Sequence, residues 1–214
     1  MKLLNILLLP KSLFQRLTDK KETLIAGIFF VGAIDMYAYL YKHYEDLYLG
    51  KSAFDVVLAI VLSLIILIIA GSMDVFLFSW PMFDLFGFLS KKFGTQKRLE
   101  EKESKESFNP TVIILMKVYI LAHIPVLPLN LISSFAYFKI PPDEYTPVII
   151  MSLVIIYGVI QVWFNCIITH GVSALYKAGF EFVIIVFLAV FMWSYLEGLA
   201  LEYIISNWLV KLML

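Results

Sequence analysis

The sequence predicts an all-α membrane protein: a five-helix transmembrane bundle with a cytoplasmic N-terminus, a C-terminus outside and a short N-terminal interfacial helix. Of the 214 residues, 61% are hydrophobic and 16% are charged, whereas soluble domains contain about 25% charged residues. Five apolar runs reach the roughly 20 residues that cross a bilayer core. The basic residues are also distributed unequally between the connections of these runs.

The five apolar runs are predicted to be helices of a single domain, residues 23–214. Only helices and closed barrels satisfy backbone hydrogen bonds in lipid, and these runs lack the alternation of apolar and polar residues that barrel strands show. The predicted spans cover residues 24–42, 54–89, 112–138, 146–170 and 178–205.

The second run is too long for a simple crossing. Its 36 residues would extend about 54 Å as one helix. The sequence predicts a bend near Pro81, after which the chain continues along the membrane surface, because Trp80 and the surrounding phenylalanines and lysines suit an interface. The alternative is a tilted helix that projects beyond the membrane.

Lysine and arginine residues determine the predicted orientation. Twelve of them fall on one side, in segment 1–22, in loop 90–111 and at Lys177. Four fall on the other side, namely Lys42, Lys51, Lys139 and Lys211. Because cytoplasmic loops carry an excess of basic residues, segment 1–22 and loop 90–111 are predicted to be cytoplasmic.

The N-terminal segment 1–22 is predicted to lie on the cytoplasmic leaflet. Leu13, Phe14 and Leu17 share one face of a helix that basic residues surround. The apolar run before it is too short for a signal peptide and lacks a small-residue cleavage site. We therefore interpret this segment as an interfacial helix.

The sequence lacks the motifs of familiar membrane enzymes. It contains no HExxH zinc motif, no glycine-rich phosphate loop and no GxSxG turn. The single Cys166 cannot form an internal disulfide, and the three histidines lie in separate places. We therefore expect no enzymatic activity, no catalytic residues, no cofactor and no metal site.

The charge balance bears on possible partners. Seventeen basic and seventeen acidic residues give a formal net charge of zero, which gives no sign of a nucleic-acid partner. The expected partners are the lipid bilayer and other membrane proteins or further copies of the chain.

Polar residues and prolines within or beside the predicted spans are the candidate functional or structural residues. They are Asp35, Asp74, His123, Pro125, Pro128, Asn130 and Glu181. Ionisable residues inside a membrane are functional candidates by default, because they are costly to insert. The alternative is that they pair between helices or extend to an interface.

These alternatives divide the polar residues into two groups. Extension to the nearest interface is the favoured interpretation for three residues near predicted helix ends, namely Lys117, Glu181 and Glu197. Hydrogen bonding between helices is favoured for the three amides, namely Asn130, Gln161 and Asn165.

Asp35 and His123 lie at matching depths. Asp35 is twelve residues into the first predicted helix and His123 eleven residues into the third. Both are therefore about 17–18 Å from the inner boundary. One hypothesis is that they face each other across a helix interface. The favoured alternative is a protonated Asp35 bonded to a nearby tyrosine or carbonyl, because depth says nothing about helix rotation.

Several short motifs resemble those of a known family. Before the first span stand Pro10 and Phe14, after the second stand Lys91, Lys92 and Gly94, and the third contains Tyr119 and Pro125 in "YILAHIP". The last connection reads "WFNCIITHGVSALYKAGFEFVI". Together with five predicted helices, this arrangement resembles the prokaryotic branch of the Yip domain family. The resemblance implies a non-enzymatic multi-pass protein of the prokaryotic cell membrane.

The resemblance also bears on the prolines of the third span. Pro125 and Pro128 resemble a family kink, which would let the helix bend and open backbone carbonyls to its neighbours. We favour this structural interpretation over a substrate site.

Three classes of function stay open. The favoured one is an accessory or scaffolding subunit of a membrane assembly, such as an ABC-type exporter, or a protein of membrane organisation. The second is a small transporter or channel that uses intramembrane polar residues, which Asp35 and the proline-interrupted third helix favour. The least favoured is a membrane enzyme that acts on lipids.

Overall fold

The computed structural model describes residues 7–93, 111–140, 145–176 and 179–212. Most of the predicted cytoplasmic loop 90–111 lies outside the described residues, as does the start of segment 1–22. Within the described ranges the chain forms helices and no strand. The helices are α1 Lys11–Gln15, α2 Glu22–Lys42, α3 Tyr44–Tyr48, α4 Ala53–Lys92, α5 Val112–Lys139, α6 Pro147–Tyr176 and α7 Phe180–Ile204.

Five helices are long and apolar enough to cross a membrane, which confirms the predicted all-α membrane bundle. These are α2, α4, α5, α6 and α7, and α4 packs against α2, α5 and α7. Two of them begin at hydroxyl caps. Ser52 accepts a hydrogen bond from the Asp55 amide at the start of α4, and Thr111 accepts one from the Ile114 amide at the start of α5.

Helix α4 continues through Pro81 without interruption for 40 residues, about 60 Å. Beyond Pro81, the side chains of Met82, Phe86 and Leu89 are buried in the bundle core. One face of this part of the helix therefore packs against its neighbours, and its predicted course along the membrane surface stays a prediction. Trp80 lies on the opposite, exposed face and contacts Phe76 with a ring separation of 5.1 Å.

A side chain from α7 replaces the hydrogen bond that Pro81 removes. A proline at this position has no N–H to donate to the carbonyl of Leu77, four residues earlier. In the structure the indole Nε1 of Trp193 donates to that carbonyl at 3.1 Å. The proline is thus tolerated inside a spanning helix because a neighbouring helix satisfies the freed backbone group.

Helices α2 and α4 cross at two glycines. A Cβ added to Gly32 would overlap the carbonyl oxygen of Leu67, and one added to Gly71 would overlap that of Ile28. The two backbones are therefore in direct contact, as at other small-residue crossings in membranes. Asp35 and Asp74 each follow one of these glycines by three residues, about one helical turn.

The last span is longer than the sequence predicts. A π-helical turn, Ile205–Leu209, and a 3₁₀ turn, Val210–Leu212, extend α7, so that the apolar span covers 33 residues, Phe180–Leu212. The extension packs against α2 and α4 through a small core around Met36, Ile66 and Ile205.

The N-terminal segment is docked on the bundle. Phe14 is fully buried and contacts α6 at Gly171, where an added Cβ would lie 2.9 Å from the phenylalanine ring. The indole Nε1 of Trp163 donates to the carbonyl of Leu7 at 2.7 Å. The apolar face predicted for the membrane leaflet therefore packs in part against protein.

Lys117 holds the end of this segment. Its ammonium donates to the carbonyls of Thr18 at 2.6 Å and Lys20 at 2.7 Å, and the residue is 7% exposed. Lys117 therefore extends toward the N-terminal segment, where two backbone oxygens satisfy its charge.

Candidate functional site

The centre of the candidate site is a carboxyl group on α4 that a tyrosine of α5 binds. Asp74 is 3% exposed, and its Oδ1 accepts a hydrogen bond of 2.8 Å from the hydroxyl of Tyr119. The glycine crossing one turn away brings this part of α4 deep into the bundle. Such a bond matters because a buried polar group without a partner costs about 1–3 kcal/mol.

His123 adds an imidazole to this pair. Its Nε2 lies 3.9 Å from Oδ2 of Asp74, and its Nδ1 lies 3.0 Å from the backbone carbonyl of Tyr119. A carbonyl only accepts, so Nδ1 carries a proton. In the neutral ring the lone pair is then on Nε2, which faces Asp74. The 3.9 Å separation exceeds a hydrogen bond of about 2.7–3.2 Å, so the two groups are neighbours that are not bonded.

Aromatic rings hold the tyrosine and the histidine in place. Phe78 stacks on Tyr119 with a centroid separation of 4.2 Å. Phe164 meets both rings edge to face, at 5.5 Å from Tyr119 and 4.6 Å from His123. These contacts restrict ring rotation and surround the polar atoms with apolar surface.

Two further carboxyl groups lie near Asp74, and the three together are called the acidic cluster. Glu197 on α7 is 5% exposed, and both of its carboxyl oxygens are buried with no hydrogen-bond partner in the described part of the chain. Asp35 on α2 is half-buried, and its Oδ2 has no such partner either. Negative charges on Asp35, Asp74 and Glu197 would repel one another, so ionisation of one carboxyl group disfavours ionisation of the others.

The hypothesis that Asp35 pairs with His123 is corrected. The carboxyl beside His123 belongs to Asp74, and within the described ranges no hydrogen bond or ion pair joins Asp35 to His123. Depth along a helix gives the position along the membrane normal, whereas helix rotation decides which face meets a neighbour. The carboxyl group next to His123 therefore comes from α4, which runs antiparallel to α5.

The position predicted for Glu197 is also wrong. It was expected near the outer end of the last span, but the turns after Ile204 place it in the middle of Phe180–Leu212, facing the interior. Glu181, in contrast, is exposed at the start of α7, as an interfacial residue would be.

A cavity of about 410 Å³ lies between α5, α6 and α7, and His123 forms part of its wall. The wall is mainly aromatic and aliphatic, with amide groups from Asn130 and Gln161. Its lining residues are His123, Val126, Asn130, Tyr157, Gly158, Ile160, Gln161, Phe164, Phe191 and Tyr195. His123 therefore connects the cavity to the acidic cluster.

Amide hydrogen bonds join α6 to α7 beside this cavity. Gln161 donates to the Ser194 hydroxyl at 3.0 Å, and that hydroxyl donates to the side-chain oxygen of Asn165 at 2.8 Å. The predicted interhelical role of Gln161 and Asn165 is confirmed. The backbone oxygen of Asn130 accepts from Tyr37 at 3.4 Å, which joins α5 to α2.

The two prolines of α5 lie inside a continuous helix. Pro125 is half-buried and directly precedes the cavity residue Val126, and Pro128 is exposed. Each leaves one carbonyl of the preceding turn without its helical donor. Neither proline ends the helix.

Among the described residues, no group of three His, Cys, Asp or Glu side chains is placed to hold a metal ion. No family model, curated protein or solved structure matches this chain. The geometry of the site therefore carries the functional argument alone.

Sequence reasoning missed two members of the site. Phe164, which contacts both Tyr119 and His123, gave no signal, since one phenylalanine in an apolar run resembles any other. Tyr119 stood out only as part of a family-like motif. Its spacing of four residues from His123 places both on one helical face and was the available signal.

Proposed function

We propose that this multi-pass membrane protein is a small transporter that moves protons through the acidic cluster. The observation that carries the proposal is the contact between Asp74, Tyr119 and His123 in the bundle interior. Glu197 adds a further buried acid, whose carboxyl oxygens have no hydrogen-bond partner among the described residues.

The geometry around His123 suits proton exchange. Because Nδ1 is held by the Tyr119 carbonyl, a proton arriving at the ring binds Nε2, which faces Asp74. One proton can thus be carried by either Nε2 or the carboxyl. An approach of about 1 Å would bring the 3.9 Å separation to hydrogen-bond length and complete the path.

The cost of the buried acids favours transport over a purely structural role. Each ionised carboxylate near the centre of a bilayer costs at least about 2.5–3.5 kcal/mol. Apolar side chains in the same positions would stabilise a scaffold without this cost. Three acids in one interior therefore indicate a function that uses their exchangeable protons.

Proton flux into liposomes tests the proposal. The full chain is reconstituted into vesicles that contain a pH-sensitive dye, and a potassium diffusion potential drives protons inward. We expect faster internal acidification than in vesicles with Asp74→Asn, which keeps the size of the side chain but does not titrate. Asp84→Asn is the matched control, because Asp84 lies on the same helix and is exposed.

The control Asp84→Asn should give the same rate of internal acidification as the unmodified protein. Equal flux with the unmodified protein, Asp74→Asn and empty vesicles would overturn the proposal. Gel filtration of each variant before reconstitution checks that the chain is folded.

The accessory or scaffolding role stays a prediction that rests on the resemblance to the Yip domain family. Membership of that family, location in a prokaryotic cell membrane and the absence of enzymatic activity stay predictions with it. Purification from native membranes in mild detergent, followed by mass spectrometry, tests the role. Recovery of an exporter's ATP-binding subunit in stoichiometric amount would support it, and recovery of this chain alone would contradict it.

A further inference from the structure

We propose that the cavity between α5, α6 and α7 binds an organic cation with an apolar body, in exchange for the proton carried by His123 and Asp74. This inference rests on the proposed function and names the substrate class of the same site. Three observations support it: the aromatic lining of the cavity, the acidic groups near that lining, and the position of His123 between the cavity and Asp74.

The wall is suited to a positively charged, largely apolar molecule. Four aromatic rings line it, those of Tyr157, Phe164, Phe191 and Tyr195. The faces of such rings attract cations, most strongly where water is excluded. A volume of about 410 Å³ is within the roughly 300–1,000 Å³ of small-molecule sites.

The charges around the cavity favour a cation over an anion. The described lining residues include amides, phenols and one imidazole, and neither lysine nor arginine is among them. Asp74 lies directly behind His123, and Glu197 belongs to the helix that contributes Phe191 and Tyr195 to the wall. The nearby ionisable groups behind the wall are therefore acids, which carry a negative charge only after they lose their protons.

His123 couples the ligand to the proton. A cation in the cavity is a neighbour of the imidazole, so it disfavours a positive charge on that ring, and the protonated ring disfavours the cation equally. The helices that pack near His123 each contribute a titratable side chain. Asp74 and Tyr119 contact His123 or its neighbours directly, Tyr157 and Tyr195 line the same cavity, and Asp35 on α2 and Glu197 on α7 are the acids near Asp74. The acids among them increase the attraction for either positive species, so cation and proton compete for one site.

Two ions of the same shape and opposite charge test the inference. Binding of tetraphenylphosphonium and of tetraphenylborate to the purified full chain in detergent is measured by titration calorimetry, with empty micelles subtracted. We expect the phosphonium ion to bind and the borate ion to bind at least tenfold more weakly.

The variant Tyr195→Leu locates the bound ion. It removes one ring of the wall and should weaken phosphonium binding by about 3- to 30-fold. Tyr203→Leu is the matched control on the same helix, because Tyr203 is about as exposed as Tyr195 but lies outside the wall. Its affinity should equal that of the unmodified protein.

Proton release on binding tests the exchange. In weakly buffered solution, saturation with tetraphenylphosphonium should release protons from the unmodified protein and from Tyr203→Leu, and fewer from Asp74→Asn. Equal affinity for the two ions, or equal affinity of Tyr195→Leu and Tyr203→Leu, would overturn the cation site. If proton flux into liposomes persists in that case, the proposed function stands without this inference. Cation binding with no proton release and no flux would overturn the proposed function and the exchange together.

Discussion

Substitution of Gly71 by alanine should separate α2 from α4. The added Cβ would overlap the carbonyl oxygen of Ile28, which is backbone and cannot rotate away. Overpacking of this kind costs about 1–3 kcal/mol, and the gain from replacing glycine in a helix offsets only about 1 kcal/mol. Because backbone meets backbone here, we expect a net loss of stability near the upper end, about 2 kcal/mol.

The variant Gly87→Ala provides the matched control. It makes the same change on the same helix, where an added Cβ meets nothing within 4 Å. The control should be as stable as the unmodified protein or slightly more stable, because alanine is the better helix former.

Thermal unfolding in detergent measures the difference through the single thiol. Cys166 is half-buried on α6, so its labelling by a thiol-reactive dye accelerates as the bundle opens. For a chain of this size, 2 kcal/mol corresponds to a shift of the unfolding midpoint of about 4–8 °C. Equal midpoints for Gly71→Ala and Gly87→Ala would refute the close crossing of α2 and α4.

Two further predictions concern Pro81 and the orientation of the chain. The change Trp193→Phe should destabilise the protein by about 1 kcal/mol, because it removes the hydrogen bond to the Leu77 carbonyl. The loss should be smaller in a Pro81→Ala background, where the alanine N–H can donate to that carbonyl. Additive losses of stability in unfolding assays would contradict the role of this hydrogen bond. Single cysteines at Ser104 and Asp143, in a Cys166→Ser background, should label from opposite sides of intact membranes, and labelling of both from outside would overturn the predicted orientation.

The start of each span could be predicted from hydropathy because lipid exposure acts on every residue of a run. All five long helices begin within two residues of their predicted starts, as α5 does at Val112. The end of the last span was missed, because the π-helical turn at Ile205–Leu209 is stabilised by packing against α2 and α4 and not by local sequence.

The candidate site could be predicted only in part. Asp74 and His123 stood out because charges in apolar runs are rare. Their contact could not be predicted, since it depends on the rotation of α4, which the meeting of Gly71 with Gly32 sets. The hydrogen bonds of Lys117 could not be predicted for the same reason, because its two carbonyl partners are nearly 100 residues away in the chain.

The central claim is that Asp74 exchanges a proton with His123 in the interior of the bundle. Infrared difference spectroscopy of the reconstituted protein, recorded across a pH titration, detects the carbonyl stretch of a protonated carboxyl group. We predict a band that appears and disappears with pH, is absent from Asp74→Asn, titrates at a different pH in His123→Ala, and is unchanged in Asp84→Asn. A band that persists in Asp74→Asn, or that titrates identically in His123→Ala, would contradict the claim.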